Sequence, residues 1–225
     1  MKTDKKFGFT LGEVLIVLII IGIIATLTLP SLLREVQAKS RINALTSTID
    51  SVQKALEKEL IENRTNNLNN TDFIGNRDTF FEENLTLVDP APAQIFANNY
   101  RFINGDAPQA DDLVPIANSY LLKNGVAIGV NEDGTTMAID VNGANRPNIV
   151  GVDYFTVAIA LIDDRNRGVR AGDVGQFLVN NDNNTCNEMR VSCTTTRNAS
   201  SCYSALVLSG FNPRYTENDG CNQGN

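Results

Sequence analysis

From Phe9 to Leu29 the chain is almost wholly apolar, and one carboxylate, Glu13, interrupts the run. About twenty such residues, wound as a helix, cross a hydrocarbon core of ~30 Å. Lys2, Lys5 and Lys6 precede the run, and the preference of lysine for the cytoplasmic side places everything after Pro30 across the membrane. A secretory signal has a shorter apolar core and a small-x-small cleavage site, which Ala25-Thr26-Leu27 does not supply. A plain anchor fits the length but leaves Glu13 unexplained. A carboxylate inside a spanning helix costs about 2.5–3.5 kcal/mol on insertion scales, so it calls for a partner or a task.

After Pro30 the apolar pattern changes period. Ile42, Leu45, Ile49, Val52, Leu56 and Leu60 recur at steps of three and four, with Arg41, Asp50, Lys54, Glu57, Lys58 and Glu62 around the rest. That spacing predicts a helix continuing to about Ile61 with one face for a globular core. A coiled coil is the weaker reading, because fewer than four clean heptads are visible. The asparagine-rich stretch from Asn63 to Thr71 ends the helix as a loop.

Beyond it, Asp78 to Leu85 reads as a short helix, and Asp89 to Gln109, with three prolines, as irregular. Val126, Ile128 and Val130 alternate, Asn131-Glu132-Asp133-Gly134 supplies a turn, and Thr135 to Val141 runs back. Tyr154 to Leu161 makes a third strand, giving an antiparallel meander whose apolar face suits the helix stripe. Tyr203 to Leu208 reads as a last strand.

At this point the residues carry a resemblance. Gly8-Phe9-Thr10-Leu11-Gly12-Glu13-Val14, followed by an apolar helix with Gly22 and Pro30, resembles the prepilin cleavage and methylation motif of type IV pilins and type II secretion pseudopilins. The resemblance covers Lys2 to about Leu60 and is loose beyond. It implies that a prepilin peptidase cuts between Gly8 and Phe9 and methylates the Phe9 amine. It also implies that Glu13 pairs with the amine of a neighbouring subunit during assembly. Gly22 would let helices approach, and Pro30 would kink or locally melt the helix, with Thr26 and Thr28 bonding carbonyls nearby. The implied fold is α+β, a long transmembrane and amphipathic helix packed on an antiparallel β-sheet head. Its parts are a leader over residues 1–8, a membrane and filament-core helix over 9–30, an amphipathic helix over 31–62 and a head over 63–225. The implied partners are other pilin or pseudopilin subunits, the peptidase and an inner-membrane assembly platform. The subunit would sit in the inner membrane with a cytoplasmic N-terminus and then enter a periplasmic or extracellular filament.

Composition narrows the remaining functions. The chain contains no histidine, which removes imidazole general bases, imidazole-based triads and most catalytic zinc sites. Lysine, carboxylate and cysteine chemistry remain, but no pattern gathers them into a catalytic set, so the reading is a structural protein and not an enzyme. The formal charge of −7 argues against a broadly basic nucleic-acid binder. Asp163, Asp164, Arg165, Arg167 and Arg170 read as a solvated loop, a basic patch for DNA or a partner being the weaker reading because the aspartates offset its field. Cys186, Cys193, Cys202 and Cys221 lie together in a loop-rich region and without a Cys-x-x-Cys pair. They point to two disulfides and an oxidising compartment, with the three connectivities open. Pilin-family heads commonly close this region with a disulfide. In the loop from Asp140 to Asp153, the oxygens of Asp140, Asn142 and Asp153 are candidate ligands for calcium, the one cofactor considered. The absent EF-hand spacing favours turn-capping roles for them instead.

Overall fold

The computed structural model describes residues 10–109, 111–175, 185–196 and 198–221. It divides between Lys39 and Ser40 into two compact units. Helix α1, Leu11–Glu62, supplies the described part of the first unit and the opening of the second. The helix runs unbroken through Pro30, so the melting expected there is not found. Hydroxyl side chains bond carbonyls around the missing donor: Thr26 Oγ1 to Ile23, Thr28 Oγ1 to Ile24 and Ser31 Oγ to Thr28.

In the second unit α1 buries Ile42, Leu45, Ile49, Val52 and Leu56, the stripe that the spacing predicts, and Leu60 packs half-buried at its end. Thr48 and Glu59 join this face as polar members. Thr48 Oγ1 donates to the Ala44 carbonyl at 2.8 Å, and Glu59 Oε2 accepts from the Asp72 amide at 3.3 Å. The helix ends in a Schellman motif, in which the Thr65 amide reaches the Leu60 carbonyl and the Arg64 amide reaches Ile61, with Arg64 at φ 51°.

A short 3-10 turn, Leu68–Asn70, then leads into α2, Asp72–Gly75, and α3, Arg77–Asn84. The α3 bounds match the expected helix to within a residue. Phe73, Phe80 and Phe81 are fully buried and meet edge to face, and Phe81 stacks on Tyr120 with centroids 4.1 Å apart.

The strands are β1, Arg101–Phe102; β2, Asn118–Leu121; β3, Ala127–Val130; β4, Thr136–Asp140; β5, Ile149–Val150; and β6, Tyr154–Ala158. They form one six-stranded sheet in the order β1-β5-β6-β4-β3-β2. β2, β3, β4 and β6 pair antiparallel, whereas β5 pairs parallel with both β1 and β6. The expected meander is β3-β4-β6, and the sheet is wider because short β1, β2 and β5 extend it.

Strand alternation sorts the core into two clusters. Ile128, Val130, Met137, Ile139, Phe155 and Val157 pack with the α1 stripe and the phenylalanines. Ala138 and Tyr154 belong to a second cluster with Tyr100, Phe102, Val150 and the Cys193 and Cys202 sulfurs. The architecture is therefore α+β, a long N-terminal helix packed on a mostly antiparallel sheet.

The C-terminal region corrects one expectation. Tyr203 to Leu208 is not a strand but the greater part of helix α5, Ala199–Leu208, which follows α4, Cys186–Thr195. Asn198 caps α5 through the Ser201 amide, and Thr185 with Glu188 forms a capping box at α4. Two disulfides, Cys186–Cys221 and Cys193–Cys202, fix the pair, and the inner one joins α4 directly to α5. Tethering and capping outweigh the strand preference of a six-residue apolar run, whose period alone does not decide between the two states.

The inner disulfide rests on Gly151, whose φ of +85° lies in the left-handed region. A Cβ there would approach the Cys193 and Cys202 sulfurs to 3.0 Å. Gly151→Ala is therefore expected to lower stability by about 1–3 kcal/mol, from backbone strain and overpacking together. Denaturant unfolding of the detergent-solubilised protein measures this, and a loss under about 0.5 kcal/mol would show the contact to be yielding.

Candidate functional site

Two regions carry the residues nominated from the sequence. The first is the start of α1. Gly8 and Phe9, the cleavage and methylation candidates, lie outside the described residues. Thr10 begins the described chain and caps the helix. The Glu13 amide donates to Thr10 Oγ1 at 3.2 Å, while Glu13 Oε2 accepts from the Thr10 amide at 2.8 Å and its hydroxyl at 2.9 Å. This reciprocal arrangement is a capping box, and its Thr-x-x-Glu signature was present in the sequence but not recognised as such. Glu13 thus has a local task, compensating backbone donors that a helix start leaves unpaired.

Every residue from Leu11 to Val36 is exposed, and the helix is long and apolar enough to cross a membrane. Among the described residues nothing covers Leu15, Leu18, Ile19 or Ile23. Exposed apolar surface of this extent marks a lipid or protein contact. A Cβ built on Gly22 meets no atom within 4 Å, so the surface beside it is open to a neighbouring backbone.

The second region is the loop from Asp140 to Asp153, set between the end of β4 and the start of β6. Both carboxylates are fully buried. Asp140 Oδ2 accepts from the Tyr100 hydroxyl, and Oδ1 accepts from the Asn142 amide at 3.1 Å. Asp153 accepts from the Asn148 amide at 2.6 Å and the Ile149 amide at 2.5 Å. Asn142 Nδ2 donates to the Asn145 and Arg146 carbonyls, leaving its shielded Oδ1 without a partner. Asn148, at φ 57°, donates from Nδ2 to Asn99. The oxygens considered for calcium are thus largely engaged in closing turns, which is the competing role weighed for them. Among the described residues, no three of His, Cys, Asp and Glu gather as a metal set.

Burial pushes Asp140 up to about 7, and the charge of Asp153 adds to the effect, while the bonds from Tyr100 and Asn142 oppose it. Burial likewise raises Asp153, with its two loop amides and Arg41 pulling the other way. Tyr100 is a member that the sequence did not reveal, because 40 residues separate it from Asp140.

No family model matches the chain. The type II secretion system core protein G of Escherichia coli (strain K12) is 36% identical to it over 61 residues, 27% of this chain. The chain therefore spans 41% of the length of that curated relative. No solved structure matches. The similarity to a secretion-system core protein accords with the apolar helix at the N-terminus.

The buried loop yields a pH prediction. Asp140 has an ordinary value of 3.8 and a folded value of about 7, so between these the native state holds a proton that the unfolded chain has released. Its contribution to stability is then greatest below about pH 4, falls as pH rises to about 7 and is flat above. Asp140→Asn is expected to flatten the stability profile over that window by roughly 2–4 kcal/mol. Urea unfolding at a series of pH values checks it, and parallel profiles for the two proteins would refute the assignment.

Proposed function

We propose that the chain is a structural subunit of a type IV pilin-like filament, anchored in the inner membrane before assembly. The observation that carries this reading is the α1 segment from Leu11 to Leu33, apolar, exposed among the described residues and opened by a carboxylate in its first turn. Partial similarity to a secretion-system core protein supports it. In this reading residues 1–8 are a leader, residues 9–30 form the filament core and residues 31–62 join it to the head over 63–225.

Prepilin peptidase removes the leader between Gly8 and Phe9 and methylates the Phe9 amine. Removal of the lysines leaves one positive amine at the tip of an apolar helix. Glu13 of a neighbouring subunit then supplies its counter-charge in a medium where either ion alone is costly. Gly22 allows close helix packing, and Pro30 gives up one backbone bond where the helix adapts to its neighbours. Repetition of head-to-tail contacts that do not close into a ring produces a filament. Its partners are other pilin or pseudopilin subunits, the peptidase and an inner-membrane assembly platform. The alternatives are a type II secretion pseudopilin and a minor pilin whose head binds DNA, a surface or another subunit. The proportion of the chain in sheared native filaments separates a major from a minor role.

Two measurements test the proposal. Mass spectrometry of the native protein is expected to show loss of residues 1–8 and one methyl on Phe9, and an intact leader in cells with active peptidase would remove the reading. Glu13→Ala is expected to insert into the membrane normally while entering filaments at least tenfold less, a cost of about 1.4 kcal/mol or more. Unimpaired incorporation of that variant would end the assembly role of Glu13.

A further inference from the structure

We propose that the Cys186–Cys221 disulfide is a thiol–disulfide exchange site, a covalent latch on the C-terminal strap that a dithiol reductant opens while Cys193–Cys202 stays closed. The two bonds sit in opposite surroundings. Cys193 and Cys202 are both fully buried, within the cluster that contains Phe102, Val150 and Tyr154. Gly151 and Ile103 lie against their sulfurs. Exchange requires a thiolate to reach a sulfur, so its rate follows access. The inner bond offers none until the core opens. Cys186, by contrast, is half-buried at the first residue of α4, and so is Cys221.

The latch closes a stretch of 35 residues, against 9 for the inner bond. What it holds is the strap over residues 209–221. Besides the disulfide, the strap is held by the buried Ser209 and Tyr215, whose hydroxyls donate to the Leu206 and Gly151 carbonyls, and by Phe211, which packs half-buried on the core. Arg190 Nη1 donates to Asn218 Oδ1 at 3.0 Å as a more exposed tie, while Asn212 Nδ2 bonds the Gly220 carbonyl at 2.9 Å within the strap. Arg214 bonds Glu217 and Asp219 within the strap itself. Helices α4 and α5 keep their own tie, because the inner disulfide joins them directly.

In the exchange, a thiolate of the reductant attacks one sulfur of the pair, the Cys186–Cys221 bond breaks, and the other sulfur leaves as a thiolate. The second thiol of the reductant then displaces the mixed disulfide. Two electrons pass from the dithiol to the cystine, the reductant departs as its own disulfide, and the two protons that it loses end on Cys186 and Cys221. The protein gains a strap held by Ser209, Phe211, Tyr215 and a few polar bonds, on a head whose remaining fold is unchanged.

The test uses the full chain in detergent, treated with graded dithiothreitol, then alkylated, peptide-mapped by mass spectrometry and followed by hydrogen exchange. Cys186 and Cys221 are expected to be alkylated at a dithiothreitol concentration at least tenfold below that needed for Cys193 and Cys202. Amide exchange over residues 209–221 is expected to accelerate tenfold or more while α4 and α5 stay protected. The double variant Cys186→Ser, Cys221→Ser is expected to reproduce that exchange pattern without reductant. Simultaneous opening of both pairs, or earlier opening of the inner one, would overturn the assignment. Unchanged exchange in the strap after outer reduction, or unfolding of the double variant, would overturn the latch.

Discussion

The head depends on the burial of one helical stripe. Ile42, Leu45, Ile49, Val52 and Leu56 present to β3, β4 and β6 a surface that those strands answer with Ile128, Val130, Met137, Ile139, Phe155 and Val157. Each fully buried side chain of this kind contributes about 1.5–3 kcal/mol, so the interface outweighs any single hydrogen bond in the molecule. The phenylalanines of α2 and α3 extend the same cluster from its flank. The polar members of the stripe are handled locally: Thr48 bonds back one turn, and Glu59 takes the amide at the start of α2. The second α1 segment is thus fixed by the head, whereas the first, from Leu11 to Val36, is exposed among the described residues. One helix serves two environments, and the change of period after Pro30 is where the sequence switches between them.

How far this was legible follows from the range of each determinant. The stripe from Ile42 to Leu60 is a local period, and alternation with one turn at Asn131 to Gly134 defines the β3-β4 hairpin. Both are written in consecutive residues, and both were readable. The width of the sheet was not, because β1 and β5 are two residues each and owe their state to pairing across the fold. Helix α5 was misread for a related reason. Tyr203-Ser204-Ala205-Leu206-Val207-Leu208 suits either state by composition, and Cys202, which decides it, acts through a partner on α4. The Asn198 cap stood just upstream and would have tipped the reading toward helix.

The same distinction runs through the candidate sites. The capping box of Thr10 and Glu13 is a four-residue pattern, legible in principle beside the resemblance that drew attention to Glu13. The Asp140–Tyr100 contact joins residues whose approach only the folded sheet creates, and Tyr100 carried no local signal. A loop rich in Asp and Asn therefore looks alike whether it binds a cation or closes turns. The engaged oxygens of Asp140 and Asp153 weigh toward turns, since each carboxylate already receives two donors.

The capping box also sharpens the physical case at Glu13. All the donors it receives among the described residues converge on Oε2, and all belong to Thr10. Such bonds satisfy the amide and hydroxyl of a helix start, but they bring no positive charge. An ionised carboxylate at the head of an apolar helix would gain no counter-charge from them, where the cost of ionisation without a counter-ion is largest. A capped helix therefore holds Glu13 in a defined position without discharging it. Under the filament proposal, a cationic group arriving from another chain would find an acceptor already oriented, with little conformational entropy left to lose on pairing. Under that proposal Thr10 would set the geometry of the contact and Glu13 would supply its energy, the two acting as one unit.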